Sequence, residues 1–347
     1  MRFRGQGLVL AIETSCDDTC ASVVDGDGVI RSNVISSQHV HDRFGGVVPE
    51  IAARHHLQLM NVVVSEALAE ARTSLDEIEL VAVTQGPGLI GALLVGLCAA
   101  KAIAAGRRVP LAPVDHLQGH VSANFLSESF EPPFLCLIAS GGHTLLAEVE
   151  EHDRFNVVGR CIDDAAGEAF DKGARMLGLG YPGGPALERL AAEGDPCAFE
   201  FPGANAKGRG RRGGRGRAYA QGLDFSFAGV KTALLYRLQQ MSEADAAAQA
   251  ANLAASYQHA IVESLADRAE RALERLKVDR LALGGGVAAN GALRRRMEQI
   301  GARLHVPARE LCTDNAAMIG SAARFQRALP YPRYLALDAY ATGQRAL

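Results

Sequence analysis

The feature that most constrains the fold is a pattern of an apolar strand, a glycine loop and a helix that occurs twice. It reads LVAVTQGPGLIGALLVG from residue 80 and RLALGGGVAANGALRRR from residue 280. Three predicted strands open each half of the chain, at residues 8–14, 20–25 and 29–37 and at 134–139, 143–150 and 156–162. This repetition predicts two similar α/β lobes around a central cleft. Glycine loops would line that cleft, where backbone N–H groups can hold phosphate.

Length and composition agree with two α/β domains. The chain has 347 residues, which is long for one compact core, and 48% of them are hydrophobic while only 5% are aromatic. Abundant alanine and glycine favour close packing of helices on sheets. We expect a first lobe over residues 1–114 and a second over 115–347, with the final helix packing back on the first lobe.

Helical patterns fill most of the segments between strands. The predicted helices cover residues 49–72, 89–105, 166–177, 184–192, 227–239, 243–277, 290–301 and 314–328. Further strands are predicted at residues 79–84, 109–114, 280–283 and 303–306.

The cysteine pattern and the apolar runs predict a cytoplasmic protein with no membrane association. The seven cysteines are scattered and form no CxxC pair, which is typical of reduced thiols rather than of a disulfide framework. The first residues have too short an apolar run for a signal peptide, and no run reaches the roughly 20 apolar residues that span a membrane. The formal net charge of −3 confines any RNA site to a local patch.

One strongly basic patch interrupts the α/β pattern at residues 206–218. The segment reads AKGRGRRGGRGRA and holds six basic residues and no acidic one. It is either an arm that meets RNA phosphates or a tolerated surface insertion. The charge density favours the first interpretation, and the absence of aromatic residues that would stack on bases favours the second.

A histidine pair supplies a chemical centre. His116 and His120 are four residues apart, so on a helix they share one face, and Asp314 is an isolated acid far downstream. Two imidazoles and a carboxylate are a common set of ligands for a transition metal. The alternatives are ordinary packed histidines and an Asp314 that caps the last helix.

Polar clusters follow several predicted strands. The first strand ends in ETSCDDT, which includes Asp17 and Asp18, and the equivalent turn of the second half reads SGGHT. Carboxylates and hydroxyls at such turns suit a phosphate or polar substrate, whereas an Asx-type turn is the structural alternative. Asp163 and Asp164 fit the dipole of the helix that follows them. Asp171 lies two turns into that helix, where a carboxylate on the cleft face could accept hydrogen bonds from a ribose. Asn290 stands where a helix N-cap is expected.

Taken in order, the motifs resemble a known family. They are ETSCDDT, GGVVPEIAAR, GPGLIGALLVG, the HxxxH segment, SGGHT, DDAAGEAFDKGARMLGL, YPGGP, LDFSFAGVKT, GGGVAANGALR and CTDNAAMIG. Together they closely resemble the TsaD family, the tRNA N6-adenosine threonylcarbamoyltransferases, formerly named O-sialoglycoprotein endopeptidases. The resemblance covers nearly the whole chain. It implies the actin, sugar-kinase and chaperone-ATPase fold, which is ribonuclease H-like in each lobe.

The resemblance also implies an acyl transfer and the residues that perform it. Members transfer a threonylcarbamoyl group from threonylcarbamoyl-AMP to N6 of adenosine 37 in tRNAs that read ANN codons, forming N6-threonylcarbamoyladenosine (t6A). By analogy, His116, His120 and Asp314 bind one divalent metal ion. Fe²⁺ is the expected ion, and Zn²⁺ is the alternative. The acidic pair of the family falls on Asp17 and Asp18. The residues implied in adenylate binding are Ile138, Ala139, Ser140, Gly141, Gly142, Asp171, Gly184 and Asn290.

The family resemblance implies partners as well. Bacterial members work with a paralogue of similar fold, TsaB, and with an ATPase subunit, TsaE, and the helix predicted from residue 49 to 72 is the expected contact surface. In one place the chain departs from the family pattern HxEGH, because its middle residue is Gln118. This puts any role of that residue in orienting a ligand in doubt.

Three other functions remain as alternatives. A kinase or ATPase of the same fold would share the glycine loops but would not need the histidine pair. A zincin protease needs Glu directly after the first histidine of HExxH, where this chain has Leu117. A non-catalytic scaffold paralogue would not need the metal ligands at all.

Overall fold

The computed structural model describes residues 7–126, 130–202 and 222–341. The basic segment 206–218 lies outside the described residues, so both interpretations of it stay open. The chain forms two compact units. Unit 1 comprises Met1–Pro132, Glu151–Arg154 and Pro307–Leu347, and unit 2 comprises Pro133–Glu150 and Phe155–Val306.

Strands and helices alternate along both units. The strands are β1 (Leu8–Glu13), β2 (Asp18–Asp25), β3 (Ile30–Ser37), β4 (Ile78–Gly86), β5 (Leu111–Asp115), β6 (Phe134–Ala139), β7 (Thr144–Glu151), β8 (Arg154–Arg160), β9 (Arg280–Gly284) and β10 (Arg303–His305). The helices are α1 (Pro49–Glu70), α2 (Ile90–Arg107), α3 (His116–Ser122), α4 (Ala166–Met176), α5 (Gly183–Ala191), α6 (Ala228–Gln239), α7 (Glu243–Ala248), α8 (Ala250–Leu276), α9 (Gly291–Glu298), α10 (Arg309–Cys312) and α11 (Ala316–Ala323).

Each unit contains one five-stranded sheet, and the two sheets have the same topology. The strand order is β3-β2-β1-β4-β5 in unit 1 and β10-β9-β6-β7-β8 in unit 2. In both, an antiparallel hairpin is followed by strands that join in parallel, β1 with β4 and β6 with β9. The doubled α/β architecture predicted from the repeated pattern is therefore confirmed.

The central strand of unit 1 is buried on both faces. Leu10 and Ile12 belong to one core cluster, and Val9 and Ala11 belong to another. Because successive side chains of a strand point to opposite faces, β1 reads as an uninterrupted apolar run rather than an alternating one. The first cluster includes residues of α1 and α2, and the second includes residues of α11.

Helix α2 is long and apolar enough to cross a membrane when it is judged by length and composition alone. This differs from the expectation that no apolar run would qualify. A core helix of a soluble protein passes the same test. One face of the helix, with Leu93, Gly96 and Leu97, is buried where it packs on α1 and β4, whereas Ile90 and Leu94 are exposed.

The core of unit 2 forms around β6 and the long helix α8. Every residue of β6 is buried. Tyr257 of α8 is fully buried and donates its hydroxyl to the carbonyl of Ala169 in α4 at 2.8 Å. Gly173 of α4 lies directly against the Tyr257 ring, where a Cβ would clash. These contacts fix α4, whose second turn carries Asp171, one of the predicted ligand residues.

The structure moves the boundary between the two halves. The predicted division after residue 114 falls inside unit 1, which continues to Pro132 and takes back Pro307–Leu347. The reason is that α3 and α11 pack on each other, and α11 packs on β1 and β2. The expected return of the final helix to the first sheet is part of the same arrangement.

Two predicted helices have different bounds. The helix expected over 243–277 is divided at Gln249 into α7 and α8, and α7 buries none of its residues. No glycine or proline marks that break in the sequence. The last helix, expected over 314–328, ends at Ala323, and Leu329 then exchanges two backbone hydrogen bonds with Leu111. That pairing requires an extended backbone, so a longer helix is excluded.

Two glycines of α2 should respond in opposite ways to substitution by alanine. A Cβ at Gly96 would collide with the Thr14 hydroxyl, whereas a Cβ at the exposed Gly106 meets nothing within 4 Å. We expect Gly96→Ala to lower the free energy of unfolding by about 1–3 kcal/mol through overpacking. Gly106→Ala should raise it by about 0.5–1 kcal/mol, because alanine is the better helix former.

Guanidinium unfolding of the two variants, followed by circular dichroism, measures both effects. Equal stability changes in the two variants would contradict the close packing of α2 on β1.

Candidate functional site

The three residues predicted as metal ligands come together in unit 1. His116 and His120 lie on α3 with ring centroids 4.7 Å apart. The Oδ1 atom of Asp314 is 3.6 Å from Nε2 of His116 and 3.3 Å from Nε2 of His120. One nitrogen or oxygen atom from each side chain lies within 4.8 Å of the others. Both histidines are buried and Asp314 is partly exposed.

Local sequence explains why α3 and Asp314 are adjacent. Asp115 is the N-cap of α3, and its Oδ1 accepts hydrogen bonds from the amides of Leu117 and Gln118 at 2.9 and 3.2 Å. Gly119 lies against α11, where an added Cβ would be 2.8 Å from the side chain of Ile319. Close approach of the two helices through a glycine places the segment before α11, which holds Asp314, beside the histidines.

Glu13 orients the first histidine. Its Oε2 is 2.9 Å from Nδ1 of His116 and accepts a hydrogen bond of 2.6 Å from the Thr84 hydroxyl. The backbone amide of Ser15 donates to the other carboxylate oxygen. Because Nδ1 of His116 is engaged by Glu13, Nε2 faces Asp314. A carboxylate behind a ligating histidine is the usual arrangement in metal sites.

Sequence reasoning grouped Glu13 with the acids after the first strand but did not pair it with His116. The signal that identifies the pair is topological. Strands β1, β4 and β5 run in parallel, and Glu13, Thr84 and His116 all stand at their carboxyl ends. These ends meet at one edge of the sheet, where side chains from distant parts of the chain become neighbours.

The buried charges perturb one another strongly. Burial works to lower the pKa of His116, but the Glu13 and Asp314 carboxylates outweigh it and raise the pKa to about 9. Burial works to raise the pKa of Glu13, and the attraction and hydrogen bond of His116 prevail and lower it. The pair is therefore stabilised in its charged form inside the protein.

His120 differs from His116 in the surroundings of its ring. Its side chain is fully buried, and neither ring nitrogen has a hydrogen-bond partner among the residues that the structure describes. Buried polar atoms are normally satisfied, so this histidine has unused ligand capacity. The alternative role of Asp314 as a helix cap is excluded, because Asn315 caps α11 by accepting from the amide of Met318 at 3.0 Å.

The predicted acidic pair lies where the turn after β1 leads into β2, with Asp17 in the turn and Asp18 as the first residue of the strand. Burial raises the pKa of Asp18 to about 7, a hydrogen bond with Ser37 opposes this, and the nearby carboxylates add to it. His56 of α1 holds the same turn: Nε2 donates to the carbonyl of Cys16 at 2.9 Å, and Nδ1 accepts from the Thr19 hydroxyl at 2.8 Å. Burial lowers the pKa of His56, so it remains neutral. Sequence reasoning missed this histidine.

Gln118 takes no part in the histidine cluster. Its side chain is buried, and Oε1 accepts a hydrogen bond of 2.6 Å from Gln326. Its Nε2 has no partner within the described part of the chain. The residue at this position therefore contacts the segment after α11 rather than orienting a ligand.

The predicted adenylate loops lie in unit 2. Ile138 and Ala139 end β6, and the amide of Ser140 donates to the carbonyl of His143 at 2.8 Å to close the turn. The carbonyl of Ser140 accepts a hydrogen bond from the amide of Gly167 in the first turn of α4. A Cβ added to Gly167 would clash with the backbone of Ser140 and Gly141. Added Cβ atoms at Gly141 and Gly142 would meet nothing within 4 Å. The turn is therefore closely packed on the side that faces Gly167 and open at Gly141 and Gly142.

Asp171 organises a second loop of unit 2. Its Oδ1 accepts hydrogen bonds from the amides of Gly183 and Gly184 at 2.8 and 3.1 Å. Burial raises the pKa of Asp171, and these two hydrogen bonds oppose the shift. Gly183 packs against Ala174, whereas the space at Gly184 is open.

Asn290 is the N-cap of α9. Its Oδ1 accepts from the amide of Leu293, and its Nδ2 donates to Gln258, both at 2.9 Å. The capping role that the sequence left as an alternative is present. Gly285, in the loop after β9, lies against the backbone of Ala139, with φ near 83°.

Asp163 and Asp164 do not act mainly on the helix that follows them. Asp163 accepts from the amide of Phe227 at 2.8 Å, and Asp164 pairs with Lys172 at 2.9 Å and Lys231 at 2.5 Å. They therefore tie the start of α4 to α6. Only the folded chain reveals these partners, because Phe227 and Lys231 are more than 60 residues away in sequence.

Comparison with known proteins identifies relatives of this chain. The sequence profile of the TsaD family, described as tRNA N6-adenosine threonylcarbamoyltransferase, matches residues 29–321. A protein of that name from Clostridium perfringens is 49% identical over 325 residues, which is 92% of each chain. Another from Clostridium kluyveri is 47% identical over 324 residues, again with 92% of each chain covered.

Solved structures with little sequence identity share the fold. Component A of (R)-2-hydroxyglutaryl-CoA dehydratase from Acidaminococcus fermentans superposes with a TM-score of 0.52 at 15% identity, covering 92% of this chain and 98% of that one. Full-length HypF gives 0.60 at 13% identity, covering 93% of this chain and 46% of its own. These likenesses establish an ATPase fold of the actin and sugar-kinase type. The profile match and the two close relatives show that the chain belongs to the TsaD family.

Proposed function

We propose that this protein transfers a threonylcarbamoyl group to N6 of adenosine in tRNA. The observation that carries the proposal is the 49% identity to a transferase of that name over 92% of both chains. We further propose that the donor is threonylcarbamoyl-AMP and that the acceptor is adenosine 37 of tRNAs reading ANN codons. The product is then t6A.

His116, His120 and Asp314 would hold one divalent metal ion, Fe²⁺ or Zn²⁺. The fit rests on three donor atoms within 4.8 Å of one another and on the buried His120, whose ring nitrogens accept or donate no hydrogen bond among the described residues and whose Nε2 is 3.3 Å from Asp314. Three protein ligands leave coordination positions open for substrate, as in catalytic rather than structural sites. When bound there, the metal supplies Lewis-acid polarisation and an anchor for the threonyl part of the donor.

The loops of unit 2 suit the adenylate part of the donor. The turn at Ser140 to Gly142 has open space above two glycines, so that a phosphate can approach backbone amides. Asp171 uses one carboxylate oxygen to hold Gly183 and Gly184, which leaves the other to accept from a ribose hydroxyl. Asn290 supports this region as a helix cap rather than as a free ligand.

The reaction requires one bond to form and one to break. The N6 amine attacks the carbamoyl carbon, the bond from that carbon to the phosphate oxygen breaks, and AMP leaves with the electron pair. The amine then gives up one proton. We assign that proton to Asp18, because its burial raises the pKa to about 7, near the value that suits a general base at neutral pH.

The partners proposed are a TsaB-like paralogue and a TsaE-like ATPase. Helix α1 exposes Leu57 by 71% and Val62 by 49%, and the adjoining α2 exposes Ile90 and Leu94. Solvent-exposed apolar side chains on two helices that pack side by side are typical of a surface that binds another protein. We place the enzyme in the cytoplasm, where its tRNA substrate resides.

The alternatives have less support. An ATPase or kinase of the same fold has no need of a His-His-Asp group, which is present here. A protease reaction of the zincin type needs an acid in place of Leu117. A scaffold paralogue would not keep a buried Glu13–His116 pair, which is costly without a function.

For the transferase and its metal site, the first prediction concerns Asp314, the proposed metal ligand. With synthetic threonylcarbamoyl-AMP, tRNA and the partner subunits, the wild-type protein should yield t6A, detected by mass spectrometry of digested tRNA. Asp314→Ala should weaken Zn²⁺ binding and slow t6A formation, each by about 100-fold or more. The apo-protein should remain folded, because Asp314 is partly exposed and adds negative charge beside Glu13.

Glu310→Gln serves as the matched control, because this acid is exposed on the neighbouring α10 and should leave both properties unchanged. Absence of t6A with every partner present would refute the transferase proposal. Full activity of Asp314→Ala would refute only the metal site.

The second prediction concerns Asp18. Asp18→Asn keeps the size of the side chain but cannot accept a proton at the required basicity, so the single-turnover rate should fall by about 100-fold or more. Zn²⁺ affinity should stay within about threefold. Asp27→Asn, at an exposed acid, is the control. If Asp18→Asn reacts as fast as wild type, the general base lies elsewhere, and Asp17→Asn is the variant that decides.

The third prediction concerns the open turn of unit 2. Gly142→Ala places its Cβ in open space, so the thermal midpoint should not change, whereas KM for threonylcarbamoyl-AMP should rise by about tenfold through a clash with the donor. Gly167→Ala, which clashes with the backbone of Ser140 and Gly141, should instead lower the thermal midpoint. An unchanged KM in Gly142→Ala would show that the donor does not approach this turn.

A further inference from the structure

The segment after α11 forms a strap along unit 1, which we define as residues 329–341. It begins where Leu329 pairs with Leu111 at the start of β5. Tyr334, in a short 3-10 helix, is fully buried in the core beneath α1 and α2. The strap is therefore anchored to unit 1 by its backbone pairing at Leu329 and by the buried side chain of Tyr334.

Polar contacts hold the second half of the strap. Lys101 donates to the carbonyls of Leu335 and Leu337 at 3.1 and 2.5 Å. The side chain of Gln85 donates to the carbonyl of Asp338 at 2.8 Å, and the amide of Tyr340 donates to the carbonyl of Gln85 at 3.2 Å. The strap thus crosses the end of β4.

Tyr340 reaches from the strap to the N-cap of α3. Its hydroxyl donates a hydrogen bond of 2.5 Å to Oδ2 of Asp115. The crossing requires a glycine beneath it, because a Cβ at Gly86 would collide with the backbone and ring of Tyr340. The other oxygen of Asp115, Oδ1, accepts from the amides of Leu117 and Gln118.

We infer that Tyr340 is a positioning residue for the metal site: by holding Asp115 in its capping rotamer it fixes the first turn of α3, on which His116 stands. The inference rests on the metal site of the proposed function. It adds a residue that lies 220 residues or more from either histidine in sequence.

The length of α3 explains why this contact matters. The helix has seven residues and His116 is the first of them. Such a short helix has few internal hydrogen bonds, so its first turn depends on the cap. Without the tyrosine hydroxyl, Asp115 can turn toward solvent and release the two amides. The position of the His116 ring would then vary more, because only its side-chain contacts, chiefly with Glu13 and Ser15, would still restrain it.

The test compares Tyr340→Phe with wild type and with Tyr331→Phe, a control that removes the hydroxyl of an exposed tyrosine on the same strap. In the apo-protein, hydrogen exchange of the Leu117 and Gln118 amides should be about three- to tenfold faster in Tyr340→Phe only. Zn²⁺ affinity, measured by competition with a chromogenic chelator, should fall by about three- to tenfold in the same variant. The thermal midpoints of both variants should stay close to that of wild type.

A double-mutant cycle tests whether Tyr340 acts through Asp115. In an Asp115→Ala background the cap is absent, so adding Tyr340→Phe should change Zn²⁺ affinity no further. A further loss there would overturn the inference, and so would unchanged amide exchange in Tyr340→Phe. Wild-type protein that binds no Zn²⁺ would refute the metal site itself, whereas wild-type affinity in Tyr340→Phe would refute only the positioning role.

Discussion

The buried hydrogen bond between Glu13 and His116 is the contact on which the rest of the histidine cluster depends. Glu13 is fully buried, and an isolated buried carboxylate would cost several kcal/mol, so it needs the partners that Thr84, Ser15 and His116 supply. In return it directs Nε2 of His116 toward Asp314. The end of β1 and the start of α3 are thereby joined at the edge where the parallel strands finish.

Glycines in this protein serve two different purposes, and the free space around each glycine shows which purpose it serves. At Gly96, Gly119 and Gly167 an added Cβ would strike a neighbouring residue, so these positions allow helices to approach their neighbours. At Gly141, Gly142 and Gly184 the same atom would meet nothing within 4 Å. Glycine is needed for packing in the first group and leaves room for a ligand in the second.

Much of the fold could be predicted from sequence, because strands and glycine loops are local patterns. The strands expected in each half are present within a few residues, and the repeat correctly indicated two sheets of one topology. The break at Gln249 could not be predicted, since no local signal marks it. The early end of the last helix could not either, because it follows from the pairing of Leu329 with Leu111.

By itself the sequence determined the doubled α/β architecture, the family and the spacing that puts His116 and His120 on one face of a helix. These depend on periodicity and on motifs within a few turns of chain. Only the tertiary structure decided that Asp314 joins the histidines while Asn315 caps the helix, that Glu13 stands behind His116, and that Tyr340 holds Asp115. Each of those choices is made by groups that are far apart in sequence and meet only once the strands are ordered in the sheet and the helices are packed on it.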